Sequence, residues 1–244
     1  MASPLVSIVI PCRNEAENLP ILLGEIRSVM EGRDYEVIVV NDGSTDETAE
    51  VLAKEAALPG FTLRHLRHDR SAGQSLALRS GAFAAHGAIV ATIDGDCQND
   101  PQYIPVLVDA LVAAGEDAGI AAGQRLKRRD SKAKQLASRF ANSLRGAILK
   151  DNTRDSGCGL KAVRTEIMRR LPFFNGTHRF LPALVIQEGY TVVHCDVVDR
   201  SRRHGKSNYG ILDRGLRGAL DLLGVWWLGK RRKIVPRVEE VLHG

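Results

Sequence analysis

The sequence predicts an α/β domain on a mostly parallel sheet covered by helices on both faces, and three observations lead there. Short unbroken apolar runs, VSIVIP (6–11), YEVIVVND (35–42) and AIVATID (88–94), read as strands buried on both sides. Stretches with apolar residues at helical spacing separate them, which is the pattern of parallel strands joined by crossover helices. A chain of 244 residues that is 44% hydrophobic and 26% charged has core enough for one large domain.

Val6–Pro11 is the first strand, and Leu19–Met30 follows as a helix with Leu19, Leu22, Leu23, Ile26 and Val29 on its apolar side. Tyr35–Asp42 is a second buried strand, after which Ser44 or Thr45 caps a helix over Asp46–Ala57. FTLRHL (61–66) is a weaker third strand, Gln74–Ala85 an Ala- and Leu-rich helix, and AIVATID the fourth strand. Tyr103–Ala113 is helical, a strand lies near AGIAAG (118–123), Arg125–Asp130 is a basic loop and Lys132–Lys150 a long helix. DSGCGLKAV (155–163) turns into an extended segment, HRFLPALVIQEG (178–189) is helical despite Pro182, and YTVVHCDVV (190–198) is a strand. The tail from Ile211 to Lys230 is helical. With no internal repeat, low-complexity tract or linker, the expectation is one domain over residues 1–210 and an appendage over 211–244.

Four scattered cysteines (Cys12, Cys97, Cys158, Cys195) without a C-x-x-C pair disfavour a zinc site or a disulfide framework and suit a reducing compartment as small packing residues. No signal peptide and no uncharged apolar run of the ~20 residues needed to span a bilayer are expected. Residues 1–120 carry 8 Lys and Arg against 18 Asp and Glu, whereas residues 121–244 carry 26 against 11. The acidic half suits a cation site, and the basic half suits phosphates or an anionic membrane. Aromatics at 5% leave few stacking platforms for nucleic acid, which is not expected as a partner.

Sheets of this kind bind ligands at the carboxyl ends of their strands, here Pro11–Glu15, Asn41–Ser44 and Asp94–Asp96. Neither G-x-G-x-x-G nor G-x-x-x-x-G-K follows the first strand, which excludes the dinucleotide and P-loop patterns. The fourth strand ends instead in acids, as ATIDGDCQND (91–100). In an extended segment Asp94 and Asp96 face the same side and repel unless a cation lies between them. Mg²⁺ or Mn²⁺ suits such hard oxygens, and Gln98 adds a neutral one; the other reading is a solvated acidic turn.

IVIPCRNEAENLP, VIVVNDGSTDET, IDGDCQNDP and DSGCGLKAV follow one another in the order and spacing of glycosyltransferase family two. RRHGKSNYG (Arg202–Gly210) resembles the R-x-G-x-S signature of its polyprenyl-phosphate sugar transferases, the dolichyl-phosphate mannosyltransferase type and its bacterial undecaprenyl-phosphate relatives. The resemblance covers residues 5–210 and implies a GT-A fold with a nucleotide-sugar lying across the strand ends. By position it implies that Pro11, Asn14, Glu15 and Asp42 surround base and ribose, that Asp94 lies near ribose and metal, and that Asp96 with Gln98 holds the cation on the diphosphate. It further implies that Arg125, Arg139, Ser143 and Arg203 approach the acceptor phosphate; Arg139 and Ser143, at i and i+4, share a helical face. Asp94, Asp96, Arg125 and Arg203 are thus the residues expected to carry catalysis. Where relatives often have Lys after the signature this chain has Asn208, so that either Lys206 substitutes or the contact is missing.

GALDLLGVWWLGKRRK (218–233) sets Trp226 and Trp227 beside Lys230, Arg231, Arg232 and Lys233, as an interfacial membrane anchor does; the alternatives are a helix packed on the core or a dimer partner. The expectation is therefore an inverting, Mg²⁺- or Mn²⁺-dependent transferase, peripheral at the cytoplasmic membrane face, moving a sugar from GDP-mannose or a UDP-sugar to a polyprenyl phosphate. One rival is a family-two enzyme with a saccharide acceptor, for which Asp155 would be the base. The other is an inactive membrane-associated binding protein, whose mark would be loss of the acids that Asp94 and Asp96 retain.

Overall fold

The structure, a computed structural model, describes residues 5–58, 62–126, 145–200 and 211–233. Seven strands, β1 (Val6–Cys12), β2 (Tyr35–Asn41), β3 (Leu63–Arg67), β4 (Ile89–Thr92), β5 (Ala118–Arg125), β6 (Lys161–Arg164) and β7 (Thr191–Val197), form one sheet in the order β3-β2-β1-β4-β6-β5-β7. β1, β2, β3 and β4 pair in parallel, as do β5 and β7. β6 is antiparallel to both β4 and β5, so it alone runs backwards among the described strands. The reversal brings the 155–160 turn, at the start of β6, beside the acidic end of β4.

β1, β2 and β4 read as continuous apolar runs because both faces are covered. Helices α1 (Leu19–Val29) and α4 (Tyr103–Ala113) bury Leu22, Leu23, Ile26, Leu107 and Leu111 against Ile8, Ile10 and Val37 on one face. Helix α3 (Gln74–Ala84) packs Ala77, Leu78 and Ala82 on Val9, Ile38 and Val90 on the other. The apolar side predicted for Leu19–Met30 is the side that is buried, Val29 only partly.

Three local readings change. Helix α2 (Thr48–Ala56) starts later than expected, and Asp46 accepts from the Thr48 amide (3.2 Å) and hydroxyl (2.6 Å). Ser44 and Thr45 do not cap it; Ser44 Oγ accepts from the Asn14 amide (2.9 Å), and the Thr45 amide donates to Asn14 Oδ1 (2.8 Å). The segment around Pro182 splits into a 3₁₀ turn (Thr177–Arg179) and a helix (Leu181–Gln187), with Pro182 in the first turn, where its missing N–H costs no hydrogen bond. A short helix, Thr165–Arg170, follows β6 and was not expected. Of the long helix predicted over 132–150, residues 145–149 are helical and 132–144 lie outside the described residues.

The C-terminal helix (Ile211–Arg231) docks through one side. Val225 is fully buried, Leu222 packs on the cluster holding Leu181, Leu184 and Val185, Gln187 Nε2 donates to the Val225 carbonyl (3.1 Å), and Arg232 pairs with Glu188. Leu220, Leu223, Trp226 and Trp227 on the same helix are exposed. No helix among the described residues is long and apolar enough to cross a membrane.

Candidate active site

The carboxyl ends of β1, β2 and β4 meet at one edge. After β1 the chain turns through Asn14, whose φ of 56° is left-handed, and Asn18 Nδ2 fixes Glu15 Oε2 at 2.6 Å. The acidic loop after β4 lies against this turn: a Cβ on Gly95 would stand 3.3 Å from the Pro11 carbonyl oxygen and 3.6 Å from Glu15 Cγ. Pro11, Glu15, Asp94 and Asp96 therefore share one edge of the sheet.

Asp94 and Asp96 do not sit on an extended segment. β4 ends at Thr92, and residues 95–97 form a turn in which Cys97 is left-handed (φ 58°), its Sγ 3.3 Å from the Asn18 carbonyl. The Gln98 amide donates to Asp96 Oδ1 (3.1 Å), so the Asp96 carboxylate is held by the turn rather than by strand alternation. Gln74 Nε2, at the start of α3, donates to Asp94 Oδ1 at 2.7 Å. Burial first, and the Asp96 charge second, push the Asp94 carboxyl up to about 6, against the pull of Lys161 and Arg125.

Asp94 lines a cavity of about 320 Å³ whose other wall comes from the second half of the chain: Arg125 from β5, Asp155 to Gly159 from the turn, Lys161 from β6, and His178 and Arg179. The turn comes so close that a Cβ on Gly159 would lie 2.4 Å from Asp94 Oδ2 and 2.7 Å from Asn99 Oδ1, so only glycine fits. Arg125 is gripped by Asp155 through Nε and Nη2 (the latter 2.9 Å) and by Asp199 through Nη1 (3.1 Å). Burial opposes its charge, yet the two carboxylates outweigh burial and hold it above its ordinary value. Lys161 is buried, its Nζ donates to the Cys158 carbonyl, and desolvation lowers its pKa. Burial, with Arg179 and Lys161 nearby, drives His178 down to about 3; its neutral ring meets Ser75 Oγ at 2.7 Å. Burial also raises the thiols, Cys12 to about 12 and Cys158 to about 11, so both stay protonated packing groups.

Asp42 sits at the same sheet edge but turns inward. It accepts from Ser71 Oγ, Ala72 N and Gly73 N, each at 2.8 Å, and contacts His68 Nδ1 at 2.7 Å. Burial would raise its pKa, but these donors outweigh burial and hold it below the usual carboxylate range. Its four acceptor positions are occupied within the protein. Asp100 is likewise structural: Arg200 bridges it (2.9 and 2.6 Å) to Glu25 (2.6 Å).

Arg139, Ser143 and Arg203, with Lys206 and Asn208, lie outside the described residues. Sequence reasoning missed Gln74, Lys161, Arg179 and Asp199 as cavity residues or partners. Lys161 had a signal, a lysine inside the DSGCGLKAV motif; Gln74 and Asp199 had none. No group of three His, Cys, Asp or Glu that could hold a metal by itself occurs among the described residues. Two crowded carboxylates, with one of them destabilised by the other's charge, fit a hard dication whose remaining positions are filled by water and phosphate oxygens.

The model of glycosyl transferase family 2 matches residues 7–172. The chain is 35% identical over 225 residues to dodecaprenyl-phosphate galacturonate synthase of Rhizobium johnstonii, covering 90% of this chain and 66% of that protein. It is 33% identical over 210 residues to undecaprenyl-phosphate 4-deoxy-4-formamido-L-arabinose transferase of Aeromonas hydrophila, covering 85% and 64%. The chain thus spans slightly less than two thirds of the length of these relatives. Among solved structures, glucosyl-3-phosphoglycerate synthase from Mycobacterium tuberculosis in complex with Mn²⁺, UDP-glucose and glycerol 3-phosphate superposes with a TM-score of 0.67 at 20% identity, covering 93% of this chain and 80% of that one. At that identity the likeness speaks for the fold.

Proposed function

The chain belongs to glycosyl transferase family 2 and has its GT-A fold, and from that premise we propose that it moves a sugar, with inversion, from a nucleotide-sugar to a polyprenyl phosphate at the cytoplasmic face of a membrane. The observation that carries the reading is the cavity with two opposed walls. Asp94 stands on one side, with the Asp96 charge acting on it, and Arg125, Lys161 and Arg179 line the other together with Asp155, which is paired to Arg125. The two relatives named above act on prenyl phosphates by their names, which favours an anionic lipid acceptor over a saccharide.

In this reading Pro11, Asn14 and Glu15 hold base and ribose, and Asp42 contributes by fixing the 71–73 loop rather than by offering a free oxygen. Asp94, Asp96 and Gln98 hold Mg²⁺ or Mn²⁺ together with the diphosphate. When bound, such an ion stabilises the charge that builds on the departing nucleoside diphosphate. A lipid monophosphate has its second pKa near ~6 and arrives ionised, so the protein must position it rather than deprotonate it. Arg125, Arg139, Ser143 and Arg203 are the groups assigned to that task, with Arg125 aimed by its two carboxylates. Forked guanidinium groups suit phosphate oxygens. Asp155 grips Arg125 with both oxygens, which is the posture of a counter-ion and not of a base free to take a hydroxyl proton.

The C-terminal helix supports the membrane assignment. Its docked side leaves Leu220, Leu223, Trp226 and Trp227 outward, next to Lys230, Arg231 and Lys233. Binding to anionic liposomes that weakens with added salt and with Trp226→Ala is the expected behaviour.

The test is transfer to undecaprenyl phosphate across a panel of nucleotide-sugars. Arg125→Ala should raise the acceptor KM and cut kcat/KM severely. Asp155→Asn should lower activity without creating the acid limb that marks a lost general base. Should Asp155→Asn abolish turnover in a folded, donor-binding protein while Arg125→Ala stays active, the acceptor is a saccharide hydroxyl.

A further inference from the structure

Phe83 on α3 and Phe173, in the loop after the short helix Thr165–Arg170, are 54% and 39% exposed. The Arg79 guanidinium carbon lies 5.4 Å from the Phe83 ring centroid and 4.7 Å from that of Phe173, so two rings flank one cation. Arg169 and Arg170 are exposed close by: Arg169 donates to the Ala82 and Ala85 carbonyls, and Arg170 to the Tyr190 hydroxyl. The patch borders the C-terminal helix at two points. A Cβ on Gly176 would stand 2.8 Å from Asp221 Oδ2, and burial first, with the Arg170 charge second, lowers the Arg232 pKa. Across residues 74–84, 165–176 and 218–233 the acids are Glu166 and Asp221, against seven Lys and Arg. The other face of the sheet differs. There α1 and α4 carry Glu25, Asp109 and Arg27, and expose Val106 and Val112 without an aromatic partner.

Resting on the membrane assignment made above, we infer that the α3 face of the sheet is the side turned to the bilayer. Phe83 and Phe173 enter the interface beside Trp226 and Trp227, and Arg79, Arg169 and Arg170 meet anionic headgroups. Exposed aromatic rings among arginines, with few acids, match a negatively charged lipid surface in both chemistry and charge. At headgroup level the guanidinium tips stay wet while the rings and aliphatic stems are covered. A protein seated on the same patch would have to desolvate those tips, which is costly unless it supplies carboxylates in register. α3 also contributes Gln74 and Leu78 to the active-site cavity, so this orientation keeps that wall of the cavity on the membrane side. The face covered by α1 and α4 then points away.

Trp226 and Trp227 are the two tryptophans of the chain, so Phe at both gives a background in which one introduced Trp reports its own surroundings. The probe is vesicles of phosphatidylglycerol and phosphatidylcholine, in an excess at which sedimentation shows the protein bound. In that background Phe173→Trp should emit at shorter wavelength with vesicles and lose most of its emission to chain-brominated lipid. Val112→Trp on α4 should do neither. In the chain with its own tryptophans, Phe83→Ser with Phe173→Ser should raise the lipid concentration for half-binding about tenfold, with an unchanged circular dichroism spectrum. Val112→Trp quenched as strongly as Phe173→Trp, or Phe173→Trp unquenched in bound protein, overturns the inference and leaves the C-terminal helix as the membrane contact. A concentration-dependent dimer that the double serine variant abolishes, without quenching, gives the patch to a second copy and also overturns it. Failure of the wild type to bind vesicles removes both the orientation and the membrane assignment. If Phe173→Trp is quenched while no nucleotide-sugar yields transfer to undecaprenyl phosphate, the orientation stands and the proposed transfer falls.

Discussion

Asp42 and Asp94 follow two parallel strands of the same sheet, β2 and β4, and the chain treats them in opposite ways. Asp42 is surrounded by donors from the 68–73 segment and lies below the usual carboxylate range. Asp94 has one donor from Gln74, sits close to a second carboxylate, and is pushed up to about 6. A buried carboxylate whose oxygens are satisfied by its own chain holds structure together, and one whose burial and charged neighbour are only partly offset is arranged for something that arrives later. On this account Asp42 stabilises the fold, and Asp94 with Asp96 gives up stability for a cation and a diphosphate.

The largest effect expected from that contrast is at Asp96. Asp96→Asn should lower sugar transfer on the order of a thousandfold while leaving thermal stability within a few degrees of wild type, because what is lost is stabilisation of the leaving group. Asp42→Asn should do the reverse. Breaking a buried, multiply bonded carboxylate costs about 3 kcal/mol, read as a lower denaturant midpoint, with a much smaller loss of activity. Its pKa is depressed in the folded state, so this contribution is present above the unfolded value near ~4 and fades as pH falls through the folded one.

Gly159→Ala comes next, because its new Cβ would collide with Asp94 and Asn99; overpacking of about 1–3 kcal/mol should appear as reduced stability together with weaker activation by Mn²⁺. The smallest effect has the opposite sign. In chelator at pH 8, Asp94→Asn should stabilise the protein by about 1–2 kcal/mol, since a raised pKa means the ionised form destabilises the fold. That gain should shrink as pH falls through about 6 toward 4, where wild-type Asp94 is itself protonated. A gain that is flat with pH would mean that burial and the Asp96 charge do not raise the Asp94 pKa.

Most of the fold was legible because buried parallel strands and amphipathic helices leave strong local patterns, as Val6–Cys12 and Leu19–Val29 do. What was not legible depends on contacts distant in sequence. β6 has four residues, and nothing in KAVR tells which way it will run between β4 and β5. The acids at 94 and 96 were visible as a motif, but they lie on a turn in which Asp96 accepts from the Gln98 amide, not on an extended strand. Asp42 looked like an open ligand because its partners lie 26–31 residues downstream. Gly159 looked like a turn glycine, and its constraint is a carboxylate 65 positions away that no local pattern encodes.

The central claim is that Asp94 and Asp96 are a site for a divalent ion completed by a nucleoside diphosphate. Titrating Mn²⁺ into the protein by calorimetry, alone and with UDP or GDP present, reads this directly. The account predicts weak binding alone, binding at least about tenfold tighter with one of the nucleotides, and loss of that increment in Asp96→Asn. Mn²⁺ binding that is indifferent to both nucleotides, or an increment that Asp96→Asn leaves intact, would contradict it.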